Sequence, residues 1–183
     1  MASDTAKEID PPSPMTLEEF YDWDDGTDTR WELVDGVPRA MTPPRVNHGI
    51  IVASLTTHIG QFLLKKKECS PVVEAGILSP SKANTYHQAD FVVSCTGSQP
   101  KSFTVESPLL IVEVLSPSTE RQDRRVKLPD YREIESVQEI LFIDSDQPYC
   151  ELHRRFESEK WLVELFRDMD ATLELESVGM TLS

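Results

Sequence analysis

Two carboxylates stand where apolar side chains are the rule. Asp90 lies in His-Gln-Ala-Asp-Phe-Val-Val and Glu113 in Leu-Ile-Val-Glu-Val-Leu, and apolar runs of this length and β-branched content read as strands buried on both faces. A lone ionised carboxylate buried there costs several kcal/mol even after relaxation, so a metal ion or a cationic side chain must meet it. If the two strands are neighbours, both acids converge on one hard divalent cation. Mg²⁺ takes one or two protein carboxylates plus waters and substrate phosphate oxygens, lowers the pKa of a bound water and neutralises phosphate charge. Lys127, on the segment that follows Glu113, could then hold the attacking water or offset developing charge.

Each residue also has a plain structural reading. Asp123 and Lys127 are i and i+4 on one helix, the spacing of a surface ion pair worth a few tenths of a kcal/mol. Asp90 and Glu113 could be solvent-facing strand ends or partners of Arg124 and Arg125. Glu32 fits an outward hairpin residue, and His48 fits a polar residue near a helix start. His58, His87 and His153 lack metal-ligand spacing.

Positioning these groups requires a mixed sheet. After the strand over 109–115, Ser116-Pro117 breaks the chain, and Thr119 with Gln122 has the spacing of a capping box that starts a helix. That helix, over about 119–135, carries Arg121, Arg124, Arg125 and Lys127, and Pro129 interrupts it near Leu128 because proline lacks the amide donor. Upstream, Thr16 and Glu19 form a second capping box before a short helix through Leu17 and Phe20. Asp35-Gly36 between short alternating segments signals a hairpin. Residues 46–67 have apolar positions 52, 55, 59, 62 and 63 on one helix face, with Lys65 to Lys67 at the C-terminal end. Further strands are expected at 71–75, 86–94, 139–144, 149–156 and 160–167, with a weaker one at 172–176, and the stretch 95–108 is long enough to be a mobile flap. The order of elements predicts an α/β (α+β) fold, a mixed β-sheet core flanked by helices.

Composition narrows the class. With 183 residues, 39% hydrophobic and 27% charged, the chain is one ordinary globular domain over 15–183, preceded by a proline-rich leader over 1–14 that reads as disordered. A net charge of −14 argues against a surface that coats nucleic acid as a whole, but a local basic cleft survives because distant charges are screened over about 10 Å. Residues 1–30 hold nine Asp and Glu against Lys7 and Arg30, whereas 121–127 holds four Arg and Lys against Asp123. Cys69, Cys95 and Cys150 are odd in number and widely spaced, which suggests neither a disulfide framework nor a zinc knuckle, and they read as ordinary cytosolic thiols. No stretch has the length of a membrane span or a signal-peptide core, so a cytoplasmic protein without membrane contact is expected.

Asp90, then Glu113 leading into Val-Leu-Ser-Pro-Ser-Thr, then Asp123 and Lys127 resemble the Uma2 family of the PD-(D/E)XK restriction-endonuclease-like superfamily. The resemblance takes in Glu32-Leu-Val-Asp-Gly36 and His48, and spans roughly residues 16–161. It implies a restriction-endonuclease-like sheet and a Mg²⁺-dependent endonuclease acting on DNA, with Mn²⁺ as a substitute ion. In that reading Asp90, Glu113 and the carbonyl of Val114 hold the metal, Lys127 positions water and Glu32 assists. Arg121, Arg124, Arg125 and His48 would contact substrate, and a homodimer would serve two strands. In the wider superfamily the lysine lies two residues after the acid. Leu115 stands there in this chain, so the resemblance implies a lysine that has migrated to the helix. Ala89 where the pattern has proline, and Pro129 after Lys127, are further departures. The acidic chain and the missing on-strand lysine also fit a nuclease-fold binding or assembly module without turnover, and two carboxylates with a metal equally fit a hydrolase of another phosphorylated compound.

Overall fold

The run that carries Glu113 becomes the strand around which both layers pack. The computed structural model describes residues 13–66, 69–96, 101–157 and 159–182, without the side chain of Lys66. Residues 1–12 of the expected leader, and Lys67, lie outside the described residues. The elements are α1 (Leu17–Asp22), β1 (Trp31–Val34), β2 (Val37–Ala40), α2 (Val46–Lys66), β3 (Ser70–Leu78), β4 (Tyr86–Ser94) and β5 (Pro108–Leu115). They continue with α3 (Glu120–Gln122), a π-helical turn (Asp123–Lys127), α4 (Leu128–Glu133), β6 (Glu139–Asp144), β7 (Cys150–Glu157), β8 (Lys160–Phe166), β9 (Leu173–Leu175) and β10 (Met180–Leu182).

Eight strands form one sheet in the order β2-β1-β4-β5-β6-β7-β8, with β3 also on β4. Among the named strand pairs of the described residues, β5 with β6 is the parallel one, and the helical segment from α3 to α4 is the crossover that a parallel pair needs. Alternation along β5 divides its side chains between two cores. Leu110, Val112 and Val114 pack with Leu55, Ile59 and Leu63 of α2, and full burial of each such aliphatic side chain stabilises by about 1.5–3 kcal/mol. Ile111 and Leu115 pack with Tyr131, Val137 and Phe142 on the other face. The restriction-endonuclease-like expectation, a mixed sheet with helices on its faces, is the architecture observed.

Local signals hold in several places. Thr16 and Glu19 close their capping box, and Asp35 (φ 51) and Gly36 (φ 79) make the left-handed pair of a tight hairpin turn. Other expectations are corrected. Thr119 makes no side-chain cap; its hydroxyl instead accepts from the Ser116 amide at 3.3 Å, and Gln122 is drawn to Glu32. At Pro129 the α-helix is interrupted near Leu128 and a fresh turn begins there, as expected, but the helical run itself is not broken. Leu128 N–H donates to Asp123 C=O, five residues back, and this wider turn lets the chain reach Pro129 in the first turn of α4, where a missing amide is tolerated. β10, not foreseen, pairs with β9. The described part of 95–108 is anchored: Val105 N–H donates to Gly76 C=O at 2.9 Å, and Phe103 stacks on Tyr21. A Cβ on Gly76 would come within 2.2 Å of the Phe103 carbonyl, so the close approach requires glycine.

The thiol reading is corrected too. Cys69 and Cys95 form a disulfide, because the β3–β4 ladder, which pairs Ser70 with Ser94, brings the preceding and following residues face to face. Spacing along the chain contains no trace of that register. Cys150 is the free cysteine among the described residues. Reducing the bond should cost about 3 kcal/mol and lower the Tm by roughly 10 °C; melting curves of wild type with and without reductant, beside Cys69→Ser/Cys95→Ser, measure it. No helix among the described residues is long and apolar enough to cross a membrane.

Candidate active site

The site lies at a fork in the sheet. β3 occupies one edge of β4 over its whole length, from Ser70 opposite Ser94 to Leu78 opposite Tyr86. The other edge is shared, with β1 touching it at Tyr86 and β5 joining only from Phe91 to Ser94. Between them, among the described residues, positions 87–90 have no strand partner on that edge, and buried backbone groups must be paired by something else. Side chains do it. Glu32 Oε1 accepts from Gln88 N–H at 2.9 Å, Lys127 Nζ donates to Gln88 C=O at 3.0 Å, and Asp90 Oδ2 accepts from Val114 N–H at 2.7 Å. The polar residues that interrupt the apolar strands therefore close the gap where those strands part.

Lys127 is the hub. Its ammonium lies 3.0 Å from Glu32 Oε1, 3.1 Å from Glu113 Oε1 and 3.3 Å from Asp123 Oδ1. The surface ion-pair reading of Asp123 and Lys127 is thereby overturned, since the two are 3% and 5% exposed. Asp123, Lys127, Asp130 and Tyr131 are the buried residues of this helical segment, spaced to share one face. Tyr131 O–H donates to Glu113 Oε1 at 2.6 Å, and Gln122 Nε2 donates to Glu32 Oε2. From α2, His48 Nε2 meets Asp90 Oδ1 at 3.1 Å.

Electrostatics separate the two strand acids. Burial pushes Glu113 well above the usual carboxylate range; Lys127 and Tyr131 act against it, and the charges of Asp90 and Asp123 act with it. Burial also raises Asp123. Asp90 is partly buried, which acts to raise it, yet His48, the Val114 amide and Lys127 together hold it below its ordinary value. His48 is raised by its hydrogen bond to Asp90, against burial. Burial works against charge on Lys127, but Glu113, Glu32, Asp123 and Asp90 outweigh it and hold the ammonium well above its usual pKa. Paired acids whose environments push them apart are a recurrent signature of acid–base chemistry.

A cleft of about 640 Å³ opens over the fork, lined among others by Asp90, Glu113, Val114, Asp123, Lys127 and His48. Among the described residues no three His, Cys, Asp or Glu side chains form a ready-made metal cage. The donors present are instead the Asp90 and Glu113 carboxylates with Val114 beside them, all oxygen donors in number suited to an ion that keeps much of its water. Four carboxylates, Glu32, Asp90, Glu113 and Asp123, surround one lysine and one histidine, so the cluster has negative charge to spare for a divalent cation. The residues present fit Mg²⁺ or Mn²⁺.

The fold brings Asp90, Glu113, Lys127 and His48 together as expected. Glu32 does not line the cleft; it sits behind Lys127 as an anchor with both oxygens engaged. Arg121, Arg124 and Arg125 are not brought to the cleft. Arg124 is spent on Glu120 at 2.9 Å and Glu151 at 2.5 Å. Gln88, Gln122 and Tyr131 were missed. Tyr131 carries a signal, four residues beyond Lys127 on one helix face, whereas the spacing of Gln122 from Thr119 points to a cap. Tyr131→Phe should lower catalytic rate or metal affinity 10–100-fold, the usual cost of removing a group that orients a ligand; titration of the metal requirement in the variant measures it.

Residues 17–183 match the family model for Uma2, described as "Putative restriction endonuclease". The chain is 30% identical over 170 residues to "Uncharacterized protein slr1290" of Synechocystis sp., covering 91% of this chain and 87% of that one. A crystal structure described as "a putative nuclease belonging to DUF820" from Anabaena variabilis superposes with a TM-score of 0.75 at 19% identity, over 93% of this chain and 95% of that one. At that identity the likeness is one of fold.

Proposed function

Since the chain belongs to the Uma2 family, we propose that it is a metal-dependent endonuclease that hydrolyses DNA phosphodiester bonds at the fork between β4 and β5. The observation that carries this reading is the buried ammonium of Lys127 within 3.1 Å of Glu113, supplied from the helix after β5 in place of the strand position that Leu115 occupies. When bound to Asp90, Glu113 and the Val114 carbonyl, Mg²⁺ would neutralise charge on the scissile phosphate and acidify a water.

The chain's own residues set the geometry around that chemistry. His48 and the Val114 amide hold the two oxygens of Asp90. Tyr131 and Lys127 both bind Oε1 of Glu113, which fixes that carboxylate's orientation. Glu32, Asp123 and the Gln88 carbonyl keep Lys127 charged and in place, where it orients the water and offsets charge gathering on the phosphate. The water oxygen bonds to phosphorus as the opposite ester P–O bond breaks; the water gives up a proton to bulk solvent and the leaving oxygen takes one up from solvent. Two copies would supply one site for each strand of a duplex.

Incubation with supercoiled plasmid and with single-stranded DNA, in Mg²⁺ or Mn²⁺ and in chelator, tests the reading. Nicked and linear products should form with metal and not with chelator. A folded protein that cuts neither substrate in either ion would refute it. One observation favours a second reading, a binding module without turnover: the ammonium of Lys127 already has four oxygen partners. Salt-dependent DNA affinity without cleavage would select that module.

A further inference from the structure

A phosphodiester strand meets a difficulty at this cleft, because its floor is acidic and the basic helix that could have drawn it in faces elsewhere. Apart from Lys127 and His48, the cationic side chains lining the cleft among the described residues are Arg30 and Arg45. Both are accessible, at 51% and 67% of the side chain. Each rests on a carboxylate, Arg30 on Glu74 and Arg45 on Asp146 at 3.5 Å. They come from different supports, Arg30 from the approach to β1 and Arg45 from the approach to α2.

Glu74 is placed unusually. It has φ +52 within β3, between Val73 and Ala75, whose partners are Phe91 and Ala89. It therefore lies across the ladder from Asp90. A left-handed residue other than glycine costs about 1–2 kcal/mol, and such strain persists where the surroundings enforce it, often at a functional site. The carboxylate that holds Arg30 is thus carried on a kink beside the metal-binding acid.

Resting on the nuclease reading, we propose that Arg30 and Arg45 are backbone-phosphate clamps, held on Glu74 and Asp146 in the free protein and transferred to a nucleic-acid strand as it enters. The exchange is favourable in kind. Exposed ion pairs hold weakly, whereas a guanidinium on phosphate makes paired charge-assisted hydrogen bonds and releases counterions from the strand. A strand offers a separate phosphate to each guanidinium, so the substrate class is a strand with several phosphates, and a small phosphomonoester or model diester, with one phosphate, gains less from them. Contacts of this kind set register and affinity without reading bases.

Fluorescence anisotropy of labelled single-stranded and duplex oligonucleotides, in Ca²⁺ over a range of salt, tests the clamp. Arg30→Ala and Arg45→Ala should each weaken binding 5–10-fold and reduce the salt slope by about one, and should raise KM for cleavage more than they lower kcat. Glu74→Gln and Asp146→Asn should tighten binding 2–5-fold, which loss of a merely structural pair would not do. Lys160→Ala, which breaks an exposed ion pair between Lys160 of β8 and Glu157 of β7, should change nothing. Arginine variants that bind with wild-type affinity and slope while wild type binds and cuts would overturn the clamp alone. Wild type that neither binds nor cuts either oligonucleotide would overturn the nuclease reading and the clamp with it.

Discussion

Glu113→Gln is expected to lower metal-dependent cleavage by about 10²–10³-fold, the range seen when one preorganised electrostatic group is lost from an active site, while leaving the fold intact. The glutamine amide oxygen can still accept from Tyr131 and Lys127, the two donors that hold Oε1 in the wild type. Burial already drives the Glu113 carboxyl toward its neutral form, so in the absence of metal the neutral glutamine replaces a group whose charge its surroundings disfavour. The two effects separate in one experiment. Without metal, the variant should melt at the wild-type temperature or above. With Mg²⁺, the rise in Tm that ligand binding gives the wild type should be missing. Retained cleavage, with a retained metal-induced rise, would remove Glu113 from the metal site.

Lys127→Met should have the largest effect on stability, about 3–5 kcal/mol, because it leaves charged neighbours buried without their partner. Its ammonium lies within 3.3 Å of Glu32, Glu113 and Asp123, and cleavage should fall with it by at least about 10²-fold. The pH dependence follows in sign. In the wild type, the pKa of Lys127 is raised in the folded state, so its contribution is fully present below the unfolded lysine pKa of about 10.4 and fades only as pH rises through the folded value. In the variant, Glu113 and Asp123, already raised by burial, lose the ammonium that pulls them down, so they rise further and the folded state binds more protons than the unfolded chain. The deficit should be largest at pH 8 and shrink toward pH 5. Urea unfolding at both values measures it, and a variant as stable as wild type at pH 8 would mean that Lys127 is not the cation holding the cluster.

These effects depend on contacts of very different range, which is why the chain reveals some and conceals others. The hairpin at Asp35-Gly36, the capping box of Thr16 and Glu19, the face of α2 and the strands around Asp90 and Glu113 could be read from residues a few positions apart. So could the anomaly of an acid in each of two apolar strands, and with it a metal or a cation as the remedy. The family resemblance added Lys127 to that set. Spacing could not say whether Asp123 and Lys127 faced water or the core, since an i, i+4 pair looks the same on either side of a helix.

By itself, then, the sequence determined the elements and the chemical kinds of the candidate site, because hydrophobic period, capping and turn conformation are local properties. Tertiary structure decided the rest. It set the edge of β4 on which β1 and β5 part, it brought Gln122 to Glu32 across 90 residues, and it joined Cys69 to Cys95 through strand register. It turned Arg124 toward Glu151 and away from the cleft, and left Arg30 and Arg45 on the cleft wall. Each of these depends on which strand lies beside which and in what register, and register is set by the packing of both sheet faces together.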